Sequence, residues 1–239
     1  MLNIAINGFG RIGRNTLRNI FLRDAFDQLQ VVAINDLADT KTLAHLFKYD
    51  SVHGPFSGTV THDEHHIIVN GHSILVTNER DPALLPWKSL DIDVVVESTG
   101  HFTNREKATL HLAAGAKKVI ISAPPTDKDI ATVVLGINDN AVDLSASILS
   151  NASCTTNNVA PMVKILDDNW GIKDGYITTV HSMTGDQNLH DPAQGRLPVL
   201  PMRLVCPRAA KDQVLRQHGR SEALRATDPK FVSTRSSIR

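Results

Sequence analysis

Cys154 stands in Ser153-Cys154-Thr155-Thr156-Asn157, and His181 follows 27 residues later in Thr178-Thr179-Val180-His181-Ser182. A cysteine is nucleophilic as its thiolate, and an imidazole brought beside it can take the proton and give it back. The chain opens with Ile6-Asn7-Gly8-Phe9-Gly10-Arg11-Ile12-Gly13. This G-x-G-x-x-G run, placed after a strand and opening a helix, is the pattern that seats a dinucleotide. A thiol and a histidine behind a dinucleotide site point to oxidation of an aldehyde. Each feature alone has a plainer reading: a buried structural cysteine, one histidine among eleven, a glycine-rich turn without a ligand. No spacing of His, Cys and Asp suits a metal ion.

The elements that must position these residues follow from periodicity. Leu2 to Asn7 reads as a short strand, and residues from about Arg11 to Leu22 read as a helix. Gln30 to Asn35 is a second buried strand, and Thr40 to Phe47 a helix. Thr59 to Val76 alternates apolar and polar residues around Asn70-Gly71, a hairpin signal. Asp93 to Glu97 and Lys118 to Ser122 are further strands, with a helix from Asn104 to Ala114 between them. Strands alternating with helices predict an α/β fold with a right-handed, doubly wound parallel sheet. Its ligand crevice lies at the carboxyl ends of the strands. There, Gly8 permits the tight turn, Gly10 lets the backbone approach a pyrophosphate, and Gly13 lets the helix pack close. Asp36 ends the second strand where it can accept from a ribose diol, and its charge repels a 2′-phosphate, so NAD is favoured over NADP. The polar stretch from Ser153 precedes an apolar-periodic run, Val159-Ala160-Met162-Val163-Ile165-Leu166, which places Cys154 near a helix N-terminus.

A length of 239 residues allows one large or two modest domains, and 41% hydrophobic with 21% charged residues fits a globular protein. No apolar run suits a membrane span, and the N-terminus lacks a secretory pattern. Two cysteines, Cys154 and Cys206, make no disulfide framework; a reducing cytoplasm is expected. The net charge of zero hides an asymmetry. Residues 191 to 239 hold ten Lys and Arg against four Asp and Glu, and five of the eleven prolines; the rest is acidic.

Residues 1 to about 190 resemble phosphorylating glyceraldehyde-3-phosphate dehydrogenases. The resemblance is carried in order by Asn7 to Arg14, Asn35-Asp36-Leu37, Lys48 to Gly54, Glu97-Ser98-Thr99-Gly100, Ser150 to Asn157 and Thr178 to Ser182. It implies a Rossmann-type NAD domain over residues 1–150 and the start of an α+β catalytic domain over 151–191. By this resemblance Cys154 is the nucleophile and His181 its proton partner. The Cys154 backbone N–H and the His181 ring hold the developing oxyanion. Ser153, Thr155 and Thr184 match positions that hold phosphate groups. Arg11 and Ile12 match the pyrophosphate loop, and Arg80, Ser98, Thr99 and Ser122 match residues lining the cofactor. Thr184 favours the three-carbon glyceraldehyde 3-phosphate over erythrose 4-phosphate. The implied co-substrate is inorganic phosphate and the implied assembly a homotetramer.

Two departures from the family pattern stand out. Asn158 replaces a frequent second cysteine, with a mild expected effect. From Pro192 the family's Arg-rich loop, T-T-G-A-A-K segment, further strands and closing helix are missing. Residues 192–239 instead form a basic tail without sustained period, which suggests a shifted reading frame and hence an incomplete catalytic domain. A genuine basic tail for an acidic partner such as RNA is the other reading; it lacks the interleaved aromatics of a single-strand binder, so no nucleic-acid partner is expected. The strand near Tyr176 to His181 should then lack sheet partners. Two functions compete: NAD-dependent oxidation and phosphorylation of glyceraldehyde 3-phosphate, or an inactive fragment that retains only NAD binding.

Overall fold

Ile4 and Ile6 of the first strand, β1 (Leu2–Asn7), are buried on one side and Ala5 on the other. A strand apolar on both faces belongs inside a sheet covered on both sides. The structure, a computed structural model, describes residues 1–181 and 232–238, with His181 and the last seven by backbone alone.

After β1 come α1 (Arg11–Leu22), β2 (Leu29–Asn35), α2 (Thr40–Lys48), β3 (Tyr49–Asp50), β4 (Gly54–Pro55), β5 (Val60–His62), β6 (His66–Val69) and β7 (His72–Thr77). A 3-10 turn at Pro82–Leu84 leads to β8 (Val94–Glu97), α3 (Arg105–Ala113), β9 (Lys118–Ile121), β10 (Ala131–Thr132) and β11 (Ile148–Ser150). Then follow α4 (Cys154–Trp170), β12 (Gly175–His181) and β13 (Val232–Ile238). The chain divides into two compact units, one of residues 1–133 with 143–152, the other of 134–142 with 153 onward.

The first unit is of the α/β class. Its sheet has nine strands in the order β10-β11-β9-β8-β1-β2-β7-β6-β5. β1 pairs in parallel with β2 on one side and with β8 on the other, so the strand order reverses at β1. That switch point is where a crevice opens at the carboxyl ends. One face of the sheet carries Ile4, Ile6, Phe9, Leu17, Phe47 and Ile74; the other carries Ala5, Trp87, Val95, Ala108, Val119 and Ile121.

The doubly wound sheet is parallel in its main part, as expected, and mixed at one edge, where the expected hairpin lies. β7 runs parallel to β2, but β6 and β5 run antiparallel beyond it. The reason is Asn70-Gly71, at φ 50° and 85°. Two consecutive positive-φ residues make the tight turn that joins antiparallel neighbours only. The two-residue β3, β4 and β10 and the three-residue β11 were not expected, because a period cannot be read from so few residues. Asn104, expected inside a helix, is instead its cap: its side chain accepts from Lys107 N at 2.9 Å. Asn104→Ala should lower the unfolding free energy by about 1 kcal/mol in a urea titration; an unmoved midpoint would show that the cap contributes nothing.

In the second unit β12 does have a sheet partner, contrary to expectation. β13 pairs with it antiparallel, from Gly175↔Ile238 to His181↔Val232. An unpaired strand edge offers a row of N–H and C=O groups that any extended segment can satisfy. β13 reads Val232-Ser233-Thr234-Arg235-Ser236-Ser237-Ile238. Only Val232 and Ile238, at the two ends, are apolar, so no alternation of apolar and polar residues marks this strand in the sequence. No described helix is long and apolar enough to cross a membrane.

Candidate active site

The turn between β1 and α1 is shaped by what its glycines exclude. Gly8 has φ +88°, and a Cβ there would lie 2.7 Å from Thr99 N. A Cβ on Gly13 would lie 2.3 Å from Gly8 O and 2.9 Å from Ile6 Cγ2. Gly10 is different: a Cβ there would meet nothing within 4 Å. Its backbone faces open space, as approach by a ligand requires. Gly10 is also the N-cap of α1, with no side-chain cap and no acidic residue in the first turn. The N–H groups and the positive end of the helix dipole are therefore left to an anion such as a pyrophosphate.

Asp36 braces this turn. Its Oδ2 accepts from Phe9 N at 2.8 Å and its Oδ1 from Ala38 N at 3.1 Å. A carboxylate has further lone pairs, so a ribose diol can still be accepted. Arg11 donates to Asp50 Oδ1 at 3.0 Å. Asp50 also accepts from the backbone N–H groups of His53 and Val52, each at 2.8 Å. The His53 and Val52 N–H groups, with Arg11 adding to them, hold the Asp50 carboxyl well below the usual range. A carboxyl depressed in the folded state contributes stability above its unfolded value of about 4, lost as pH falls through the folded value. Asp50→Asn should therefore unfold at lower temperature at neutral pH and lose part of the acid slope below about pH 4. Parallel melting curves against pH for both proteins would refute this.

Ser98 and Thr99 follow β8 and touch the glycine turn. Ser98 Oγ donates to Gly8 O at 2.7 Å, and Ser98 N donates to Asn7 O at 2.8 Å. Ser122 follows β9 and donates its N–H to Glu97 O at 2.9 Å. Arg80 is exposed beyond β7. Gly8, Gly10, Arg11, Ile12, Gly13, Asp36, Ser98, Thr99 and Ser122 thus all follow the carboxyl ends of β1, β2, β8 and β9.

In the second unit, Ser153 caps α4, its Oγ accepting from Thr156 N at 2.9 Å. Cys154 is the first helical residue and is exposed, with its Sγ 4.0 Å from Thr155 Oγ1. Backbone N–H groups and the helix dipole favour a thiolate at such a position. Thr155 is half-buried. His181 ends β12 by its backbone; its side chain and Thr184 lie outside the described residues, as do Cys206 and most of the tail. Among the described residues no group of three or more His, Cys, Asp or Glu could hold a metal ion.

Residues 2–105 match the family model described as the glyceraldehyde 3-phosphate dehydrogenase NAD binding domain, and residues 153–199 match its C-terminal domain. In these two segments the chain belongs to the glyceraldehyde-3-phosphate dehydrogenase family. The first holds the glycine turn, Asp36, Arg80, Ser98 and Thr99; the second begins at the cap of α4. The chain is 58% identical over 191 residues to the glyceraldehyde-3-phosphate dehydrogenase of Thermotoga maritima. It is 55% identical over 190 residues to that of Pseudomonas aeruginosa. Each alignment covers 80% of this chain and 57% of the relative. The chain thus spans just over half the length of these members of the family.

Sequence reasoning overlooked a row of buried polar groups below the crevice. Asn35, Asn7 and Glu97 end β2, β1 and β8 in register, and none is more than 5% exposed. Asn35 Nδ2 donates to Asn7 Oδ1 at 2.7 Å, and Asn7 Nδ2 donates to Glu97 Oε2 at 2.6 Å. The signal was available: each of these residues closes an apolar strand with a side chain that must find partners when buried.

Proposed function

We propose that this protein oxidises glyceraldehyde 3-phosphate with NAD and inorganic phosphate to 1,3-bisphosphoglycerate through a thioester on Cys154. The observation that carries this reading is an exposed cysteine at the first turn of α4, in a chain whose first domain matches the family's NAD binding domain. Gly8, Gly10, Arg11, Ile12, Gly13, Asp36, Arg80, Ser98, Thr99 and Ser122 hold the cofactor in this proposal. The open backbone at Gly10 and the uncapped α1 fit its pyrophosphate.

Cys154 thiolate attacks the aldehyde carbon and gives a hemithioacetal. The Cys154 N–H and the His181 ring steady the oxyanion, and His181 takes the hydroxyl proton as the carbon is oxidised. NAD, when bound, accepts the hydride. The product is a thioester. A phosphate oxygen then attacks its carbonyl carbon, the C–S bond breaks, and the thiolate returns with release of the acyl phosphate. Ser153, Thr155 and Thr184 bind phosphate groups in this scheme. Residues 1–150 form the cofactor domain and 151–191 the start of the catalytic one. The resemblance supports a cytoplasmic homo-oligomer.

The test is NADH formation from glyceraldehyde 3-phosphate, NAD and phosphate by the purified chain, against Cys154→Ser. Turnover that survives the substitution overturns the thioester route. Cys154 should also be alkylated by iodoacetamide near neutral pH, and His181→Ala should slow that reaction; an unchanged labelling rate would remove His181 from thiol activation. A second reading, a module that binds NAD without turnover, is favoured by the separate compactness of the first unit, which holds both apolar clusters. NAD binding by calorimetry with no NADH formed would support it.

A further inference from the structure

Glu97 and His111 are both fully buried and lie within hydrogen-bond distance of each other, yet neither has a part in the scheme above. Trp87 Nε1 lies 3.1 Å from His111 Nδ1. An indole N–H can only donate, so Nδ1 must accept, and the ring proton sits on Nε2. Nε2 is 3.1 Å from Glu97 Oε2 and therefore donates to it. Oε2 also accepts from Asn7 Nδ2 at 2.6 Å. The other oxygen, Oε1, accepts from Thr99 N at 2.8 Å and from Thr99 Oγ1 at 2.5 Å. Four donors from three parts of the chain thus converge on one side chain.

What Glu97 holds is the floor of the crevice. Thr99 is the residue that a Cβ on Gly8 would strike, and Ser98 beside it donates to Gly8 O. The turn after β8 therefore sets the height of the glycine turn after β1. Trp87 and His111 come from a loop and from α3, so the bracing reaches the crevice from below.

We propose that Glu97, oriented by His111, is a positioning residue for the cofactor: it fixes Thr99, and through Ser98 and Thr99 the glycine turn, in the shape that the dinucleotide requires. This rests on reading the glycine turn as an NAD site. Binding to a rigid element demands that its supports be locked, and a support that loses one partner leaves the others misaligned.

The test uses the full chain, NAD titration calorimetry well below each protein's unfolding temperature, and thermal unfolding without NAD. Glu97→Gln puts an amide donor where only acceptors fit and should weaken NAD binding about tenfold, the scale of one buried partner lost. His111→Leu removes the donor to Glu97 and should weaken it comparably. His111→Gln restores an N–H for Glu97 and carries a carbonyl oxygen that can accept from Trp87. It should recover most of the NAD affinity lost in His111→Leu. A purely structural role would lower the melting temperatures and leave the affinity of the folded protein unchanged. Wild-type affinity in both Glu97→Gln and His111→Leu overturns the proposal. Should Glu97→Gln fail to fold, the His111 pair decides, and equal affinities for Leu and Gln overturn it. A wild-type chain that binds no NAD overturns the NAD site itself, and with it this inference.

Discussion

Gly13→Val is expected to lower the unfolding free energy by about 3 kcal/mol and to abolish NAD binding. The added Cβ would lie 2.3 Å from Gly8 O, 2.9 Å from Ile6 Cγ2 and 3.1 Å from Ser98 Oγ. The nearest of these is backbone, and it cannot retreat, because Gly8 is itself pressed against Thr99. α1 must therefore lift away from the sheet. The lift separates Leu17 and Ile20 from the apolar cluster that includes Ile6 and Phe9. It also moves the uncapped helix end away from the crevice. Gly10→Ala is the control on the same turn, since a Cβ there meets nothing within 4 Å; stability should change little. Denaturant unfolding followed by circular dichroism measures both. A midpoint for Gly13→Val equal to that of the wild type would mean that close helix packing is not needed.

Trp87→Ala should cost about 4 kcal/mol, the range for truncating a large buried aromatic. Trp87 is wholly buried in the cluster with Ala5, Val95, Ala108 and Ile121. Its removal leaves a cavity and strips His111 Nδ1 of its donor. Trp87→Phe separates the two effects, because the ring largely refills the space while the N–H is gone. It should cost about 1–3 kcal/mol, the price of a buried polar atom left unpaired. Equal losses for Ala and Phe would assign the whole effect to the hydrogen bond; no loss for Phe would show that His111 finds another partner.

Much of the architecture around the crevice was legible locally. The residues of β1 and α1 and the spacing of Gly8, Gly10 and Gly13 define a strand, a turn and a helix without reference to anything distant. Asn70-Gly71 announced a hairpin, and the polar stretch before Val159 announced a helix with Cys154 at its start. These signals lie within a few residues of what they specify. Period, cap and glycine conformation are properties of adjacent peptide units, so the sequence carries them openly.

Only the tertiary structure decided which groups meet. Asn7, Asn35 and Glu97 become one row because β2, β1 and β8 lie side by side in register. Arg11 reaches Asp50 across 39 positions and His111 reaches Glu97 from α3. β12 finds β13 beyond a stretch with no period of its own. In each case the short segment is compatible with several partners, and nothing in its composition names one. Register and burial choose among them: a polar group sealed into the sheet must be satisfied by whatever the packing brings alongside, and that choice exists only once distant strands have come together.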